Sequence, residues 1–147
     1  MGFVLDASVA CAWVFADEGS PELDSLLDQL ATDEAFVPPL WRSEVLNTLI
    51  QAARRGRINA AQIRQYWAYL QQLPIRQHTG ELSVDQVIDL SNKYHLTAYD
   101  SHYLVLALQL NLPLATLDQP LSAAANGEGV SVLGMVVDDA AGAPAAD

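Results

Sequence analysis

Short apolar runs that never alternate with polar residues recur along this chain, and segments of helical period separate them. Gly2-Phe-Val-Leu leads into Asp6; Ala35-Phe-Val37 is closed by Pro38-Pro39; Leu112 to Leu117 leads into Asp118; Val130 to Leu133 comes last. A strand that is apolar on both faces has to be covered on both faces. Strands of that kind in alternation with helices build a parallel sheet, so the pattern predicts a three-layer α/β/α fold with a central parallel sheet. Ile75 to His78 is a further candidate strand.

The helices carry their own start signals. Ala7 to Phe15 follows the first strand directly. Ser20-Pro21 reads as an N-cap and first-position proline opening Glu22 to Leu30. Leu40 to Arg55 has helical spacing and stops at Gly56. Asn59 with Gln62 three residues on forms a capping pair for a helix to about Leu73, with Ile63, Trp67 and Leu70 on one face. Ser83 with Gln86 opens a helix to about Tyr94, and Thr97 with Asp100 opens one to Leu110. A short helical turn after Asp118 reaches Ala125.

At 147 residues the chain has room for one ordinary core. Residues 1–135 read as a single domain. Residues 136–147, small and acidic, bury too little to offset the entropy of ordering and are expected to be disordered. No run approaches the ~20 apolar residues of a membrane span, and no secretory signal opens the chain. The expected location is cytoplasmic. Cys11, the one cysteine, lies in an apolar run and reads as a small buried hydrophobe.

A net charge of −11 excludes a generally basic nucleic-acid surface. The charge is unevenly placed, however. Six of the seven basic residues are Arg42, Arg54, Arg55, Arg57, Arg64 and Arg76, and between 42 and 76 the single acid is Glu44. Arg54, Arg55, Arg57 and Arg64 are therefore the candidate phosphate-binding residues, since the guanidinium fork suits a phosphate. A role at helix carboxyl ends, where the dipole favours cations, is the competing explanation.

Asp6 and Asp118 each close a strand, and ligands in parallel sheets sit beyond the carboxyl ends of strands. Glu44 and Asp100 lie near the start of helices that should open onto the same edge. Four carboxylates there would raise one another's pKa values unless a hard divalent cation neutralised them. Each acid also has a plain structural explanation. Asp6 and Asp118 could be N-caps and Asp100 the third-position partner of Thr97. A helical wheel puts Glu44 nearly opposite Leu46, Leu49 and Ala53, where a solvated glutamate belongs. Spacing alone leaves the choice open.

The text around the acids is more specific. Val4-Leu-Asp-Ala-Ser8, Pro39-Leu-Trp-Arg-Ser-Glu-Val-Leu-Asn47, Leu96-Thr-Ala-Tyr-Asp-Ser-His-Tyr-Leu-Val-Leu-Ala107 and Leu114-Ala-Thr-Leu-Asp118 resemble, in order and spacing, the four motifs of the PIN-domain family, most closely VapC toxins of bacterial toxin–antitoxin pairs. The resemblance covers residues 2 to about 133. It implies a Mg²⁺- or Mn²⁺-dependent endoribonuclease that leaves 5′-phosphates, with Asp6 and Asp100 as main metal ligands and Glu44 and Asp118 completing the cluster. Ser8 and Thr116 stand where the family keeps a small polar residue that orients a carboxylate or a bound water. Ser101 departs mildly from an expected alanine. No histidine is needed, so His78, His95 and His102 read as structural or surface residues.

The implied partners are an RNA substrate, a cognate antitoxin and a second copy of this chain, with Trp13, Trp41, Tyr66, Trp67 and Tyr69 as candidate anchors. Three readings compete. A phosphoacceptor receiver domain would need paired acids after the first strand and a lysine after the last, and Ala7 and Gly134 stand there instead. A PIN-fold nuclease acting on DNA or structured nucleic acid shares the motifs but needs long insertions. A catalytically silent RNA- or partner-binding module would ordinarily have lost one of the acids.

Overall fold

A computed structural model describes residues 1–135. The expected tail, 136–147, lies outside the described residues. The chain runs β1 (Gly2–Leu5), α1 (Ala7–Val14), α2 (Pro21–Gln29), β2 (Glu34–Val37), α3 (Leu40–Arg54), α4 (Ala60–Gln71), β3 (Ile75–Gln77), α5 (Val84–Tyr94), α6 (Ala98–Leu110), β4 (Leu114–Ala115), α7 (Gln119–Gly127) and β5 (Val132–Leu133).

All strand pairs are parallel, in the order β3-β2-β1-β4-β5. The chain first steps outward from β1 to β3, then returns to β4 on the other side of β1 and steps outward again. Right-handed crossovers in opposite directions put α1–α4 and α5–α7 on opposite faces, the three-layer arrangement expected. The order reverses between β1 and β4, and a crevice opens at the carboxyl ends of strands where the order reverses. Asp6 follows β1 and Asp118 lies three residues beyond β4.

The core joins both layers to the sheet. Phe3, Val4 and Leu5 are fully buried, with Leu49 of α3, Tyr103, Leu104 and Leu106 of α6, and Leu121 of α7. The helix starts follow from their caps. Ser20 Oγ accepts the Leu23 N–H, Asn59 and Gln62 complete a reciprocal capping box, and Ser83 and Thr97 accept the N–H of Gln86 and Asp100. Gly56 adopts φ +75 directly after α3, a conformation that is open to glycine and strained for most other residues.

Three expectations need correction. The strand expected over Leu112–Leu117 is reduced to Leu114–Ala115; beyond it the Thr116 hydroxyl engages Asp6 and the Leu117 N–H engages Ser8. The turn after Asp118 is a nine-residue helix. The sheet is not covered throughout: β3 is an edge strand whose Arg76 and Gln77 are exposed. Of the candidate anchor aromatics, four are buried or partly buried against the core. Trp41 is buried, Trp13 Nε1 donates to the Leu23 carbonyl at 2.9 Å, Trp67 packs on Trp41 and Tyr66 meets Phe15 edge-on. Tyr69 alone of the five is exposed. Burial pushes the Cys11 thiol up to about 12, so it stays an inert hydrophobe. Among the described residues no helix is long and apolar enough to cross a membrane.

Candidate active site

The backbone at Asp6 is that of an N-cap, extended ahead of α1, yet its side chain caps nothing. It turns instead into the crevice between β1 and β4. Ser8 Oγ donates to Asp6 Oδ2 at 2.6 Å and Thr116 Oγ1 donates to the same oxygen at 2.7 Å. Each hydroxyl is itself oriented by a backbone donor: the Leu117 N–H reaches Ser8 Oγ at 3.0 Å and the Asp118 N–H reaches Thr116 Oγ1 at 3.1 Å. With a lone pair of each hydroxyl occupied, its hydrogen is directed at the carboxylate. Asp6 Oδ2 is thereby engaged twice, and among the described residues Oδ1 receives no side-chain donor.

Glu44 reaches the same crevice from α3. The buried face of this helix is Trp41, Val45, Leu49 and Ala52, not the Leu46/Leu49/Ala53 stripe read from the sequence. With the wheel rotated, Glu44 moves from the solvent side to the flank of the packed face and is half-buried. Tyr103, fully buried on α6, donates its phenolic hydrogen to Glu44 Oε1. Sequence reasoning missed Tyr103. Its signal was a phenol three residues after Asp100 in an otherwise apolar helix, since a buried hydroxyl needs a partner. Asp100 occupies the first turn of α6 and its N–H binds Thr97 Oγ1 at 3.1 Å. Asp118 does cap α7, accepting the Leu121 N–H at 2.9 Å. Its structural explanation from sequence is therefore correct, and it does not exclude a place in the crevice.

Asp6, Ser8, Glu44, Asp100 and Asp118 line one crevice of about 400 Å³, together with Cys11, Phe15, Glu18, Thr48 and Arg57. Ser101, the mild departure, is buried and hydrogen-bonded to Ser91 between α5 and α6, away from that lining. His102 Nδ1 lies against the Ala98 carbonyl and His78 against Gln109. His95 ends α5 in the left-handed region. None of the three histidines lines the crevice.

Among the described residues no basic side chain forms a salt bridge with any of the four acids. Three of them, Asp6, Glu44 and Asp100, have their carboxyl groups raised above the ordinary range. Burial is the main cause at Asp6, opposed by the Ser8 and Thr116 hydroxyls and reinforced by the charge on Asp118. Burial also leads at Glu44, opposed by Tyr103, and at Asp100, reinforced by Asp118 and Asp6. An all-oxygen, anionic, partly desolvated donor set is what a hard divalent cation takes. In this side-chain arrangement no three acids among the described residues are close enough to ligate one ion together.

An acid whose folded pKa exceeds its unfolded value, 3.8 for Asp6 and Asp100 and 4.5 for Glu44, binds protons more tightly when folded. Stability then falls as pH rises through that region and recovers as pH is lowered towards the unfolded values. Asp17, Asp33 and Glu128 shift the opposite way, through surface partners that solvent reaches, Asp17 exposed and Asp33 and Glu128 partly so, which weakens the effect. In chelator, the protein should melt higher at pH 5 than at pH 7.5. A melting temperature that rises over this interval would contradict the crowding described.

The basic segment is divided by the structure. Arg57 is bound to Asp17 and Glu18, each at 2.6 Å, with its guanidinium 4.0 Å from the Phe15 ring centre. Arg76 pairs with Glu34 at 2.8 Å. Arg54, Arg55 and Arg64 are exposed and form no salt bridge among the described residues.

Comparison with known proteins agrees with this architecture. Residues 3–127 match the PIN domain family. The VapC ribonuclease Mb0985 of Mycobacterium bovis is 30% identical over 119 residues, covering 81% of this chain and 87% of that protein. Ribonuclease VapC9 of Mycobacterium tuberculosis matches to the same extent. Among solved structures, PAE2754 from Pyrobaculum aerophilum superposes with a TM-score of 0.69 at 22% identity, over 90% of this chain and 89% of that one. FitAcB from Neisseria gonorrhoeae gives 0.59 at 16% identity, over 91% and 97%. At these identities the solved structures speak for the fold; the family match and the curated relatives place the chain in the PIN domain family, as a VapC-type member.

Proposed function

We propose that the chain is a Mg²⁺- or Mn²⁺-dependent endoribonuclease acting as the toxin of a toxin–antitoxin pair. The observation that carries this reading is the crevice itself: four carboxylates that form no salt bridge with a basic side chain among the described residues, one of them buried with a single oxygen held by two hydroxyls. A divalent cation bound there would neutralise the cluster, polarise a phosphodiester oxygen and acidify a water for in-line attack.

Asp6 and Asp100 are the residues to hold that ion. Ser8 and Thr116 donate to Asp6 Oδ2 and favour its ionised form against the cost of burial, a supporting role typical of metal sites. Tyr103 holds Glu44 at the opposite wall, and Asp118 adds charge at the mouth while starting α7. Arg54, Arg55 and Arg64 supply the positive surface that an acidic protein needs to receive a polyanion. An antitoxin and a second copy of the chain are the expected protein partners.

Incubation with end-labelled single-stranded RNA tests the reading. Cleavage should require Mg²⁺ or Mn²⁺, leave 5′-phosphate ends and stop in chelator. Intact RNA at all metal concentrations, or equal cutting in chelator, would refute it. Binding should also depend on salt. Three arginine contacts predict a log–log slope near −2, from ~0.7 per phosphate on single strands. Replacing Arg54 and Arg55 by Ser should flatten that slope by about 1.4 and weaken all sequences alike, with little change in melting temperature because exposed charges contribute little to stability. An unchanged slope would remove these arginines from the RNA path.

A further inference from the structure

The flank of α3 that carries Glu44 does not end there. Asn47, Thr48, Gln51 and Arg55 follow at three, four, seven and eleven residues, spacings that keep them on one side of a helix. They and Phe15, Ala52 and Arg57 line a second cleft of about 250 Å³. Phe15, Thr48 and Arg57 line the acidic crevice as well, so the two clefts adjoin. Their charge is opposite in character: the charged residues lining the second cleft are Arg55 and Arg57. Thr48 Oγ1 is tied to the Glu44 carbonyl at 3.0 Å, which fixes the boundary between them. Among the described residues neither the Asn47 nor the Gln51 amide has a side-chain hydrogen-bond partner.

We propose that this second cleft is a nucleotide-reading subsite, in which Asn47 and Gln51 recognise the base next to the cut phosphodiester and Arg55 holds its phosphate. The proposal rests on the ribonuclease reading above and adds the origin of sequence preference. A side-chain amide presents a donor and an acceptor side by side, as does the edge of an unstacked base. Arginine at the far end supplies a fork for the next phosphate. A strand whose cut phosphate lies in the acidic crevice would continue into the adjoining cleft where arginines meet it. Arg57, engaged by Asp17 and Glu18, marks the junction.

The experiment is cleavage of a random-sequence single-stranded RNA pool in Mn²⁺, with sequencing of the ends. The parent should show a preference at one nucleotide beside the cut. Asn47→Ala and Gln51→Ala should each flatten it by about tenfold, the discrimination expected of a good amide–base pair. Asn47→Asp, which keeps the shape but replaces the donor with an acceptor, should change which base is preferred. The Mn²⁺-induced rise in melting temperature should be the same in all three variants as in the parent. An unaltered preference in the variants, or a parent that cuts without preference beside the break, overturns the subsite and leaves the ribonuclease reading intact. A parent that cuts no RNA overturns the ribonuclease reading, and the subsite with it.

Discussion

Asp6→Asn and Asp100→Asn should each lower RNA cleavage by roughly a thousandfold or more while leaving the fold intact. Each change removes one negative charge from an acidic cluster that forms no salt bridge among the described residues. The cation is expected to contribute several kcal/mol of transition-state stabilisation, and ~4 kcal/mol corresponds to about a thousandfold in rate. The same substitutions should not destabilise the ion-free protein. Burial already disfavours charge at Asp6, and the neutral amide keeps an oxygen to accept the Ser8 and Thr116 hydroxyls. Melting in chelator should therefore be as high as in the parent or higher. Loss of activity with an unchanged or raised melting temperature separates a working carboxylate from one that merely supports the fold. Cleavage near the parent rate in Mg²⁺ would remove the residue from the site.

Thr116→Val and Ser8→Ala should weaken metal use by about ten- to a hundredfold each, the usual range for residues that orient a ligand. The cause is the paired relay: a backbone N–H fixes each hydroxyl, and each hydroxyl fixes Asp6 Oδ2. Without a hydroxyl, Asp6 loses an interaction that favours its ionised form, and the Leu117 or Asp118 N–H is left unpaired at a cost of about 1–3 kcal/mol. The concentration of Mn²⁺ for half-maximal cutting should rise and the melting temperature should fall. Because both hydroxyls act on one oxygen, the double variant should lose less than the product of the two single losses. Half-maximal Mn²⁺ unchanged in either single variant would contradict the relay.

The elements were largely legible because their determinants are local. Caps at Ser20, Asn59, Ser83 and Thr97 and the stop at Gly56 involve residues within four positions of one another. The strand ends at Asp6 and Asp118 and the motifs around them pointed to the crevice that the fold assembles. Side-chain direction was not legible in the same way. Asp6 has the backbone of a helix cap, yet its carboxylate accepts the Ser8 and Thr116 hydroxyls in place of a capping bond, and the second of these contacts spans 110 residues. Glu44 was misphased because the wheel counted Leu46 and Ala53 as core, whereas packing against α1 and α4 selects Trp41, Val45 and Ala52. Arg57 looked free in a stretch with one acid, yet its partners Asp17 and Glu18 lie forty residues upstream in sequence.

The central claim is that these carboxylates bind a divalent cation in the native protein, and its most direct measurement is the melting temperature across a Mn²⁺ titration at constant ionic strength. A ligand that binds only the folded state stabilises it by RT ln(1 + [L]/Kd). The account predicts a saturable rise in the parent, a smaller or absent rise in Asp6→Asn and Asp100→Asn, and none with sodium in place of Mn²⁺. Equal melting temperatures in chelator and in Mn²⁺, or a rise of the same size in both variants, would contradict it.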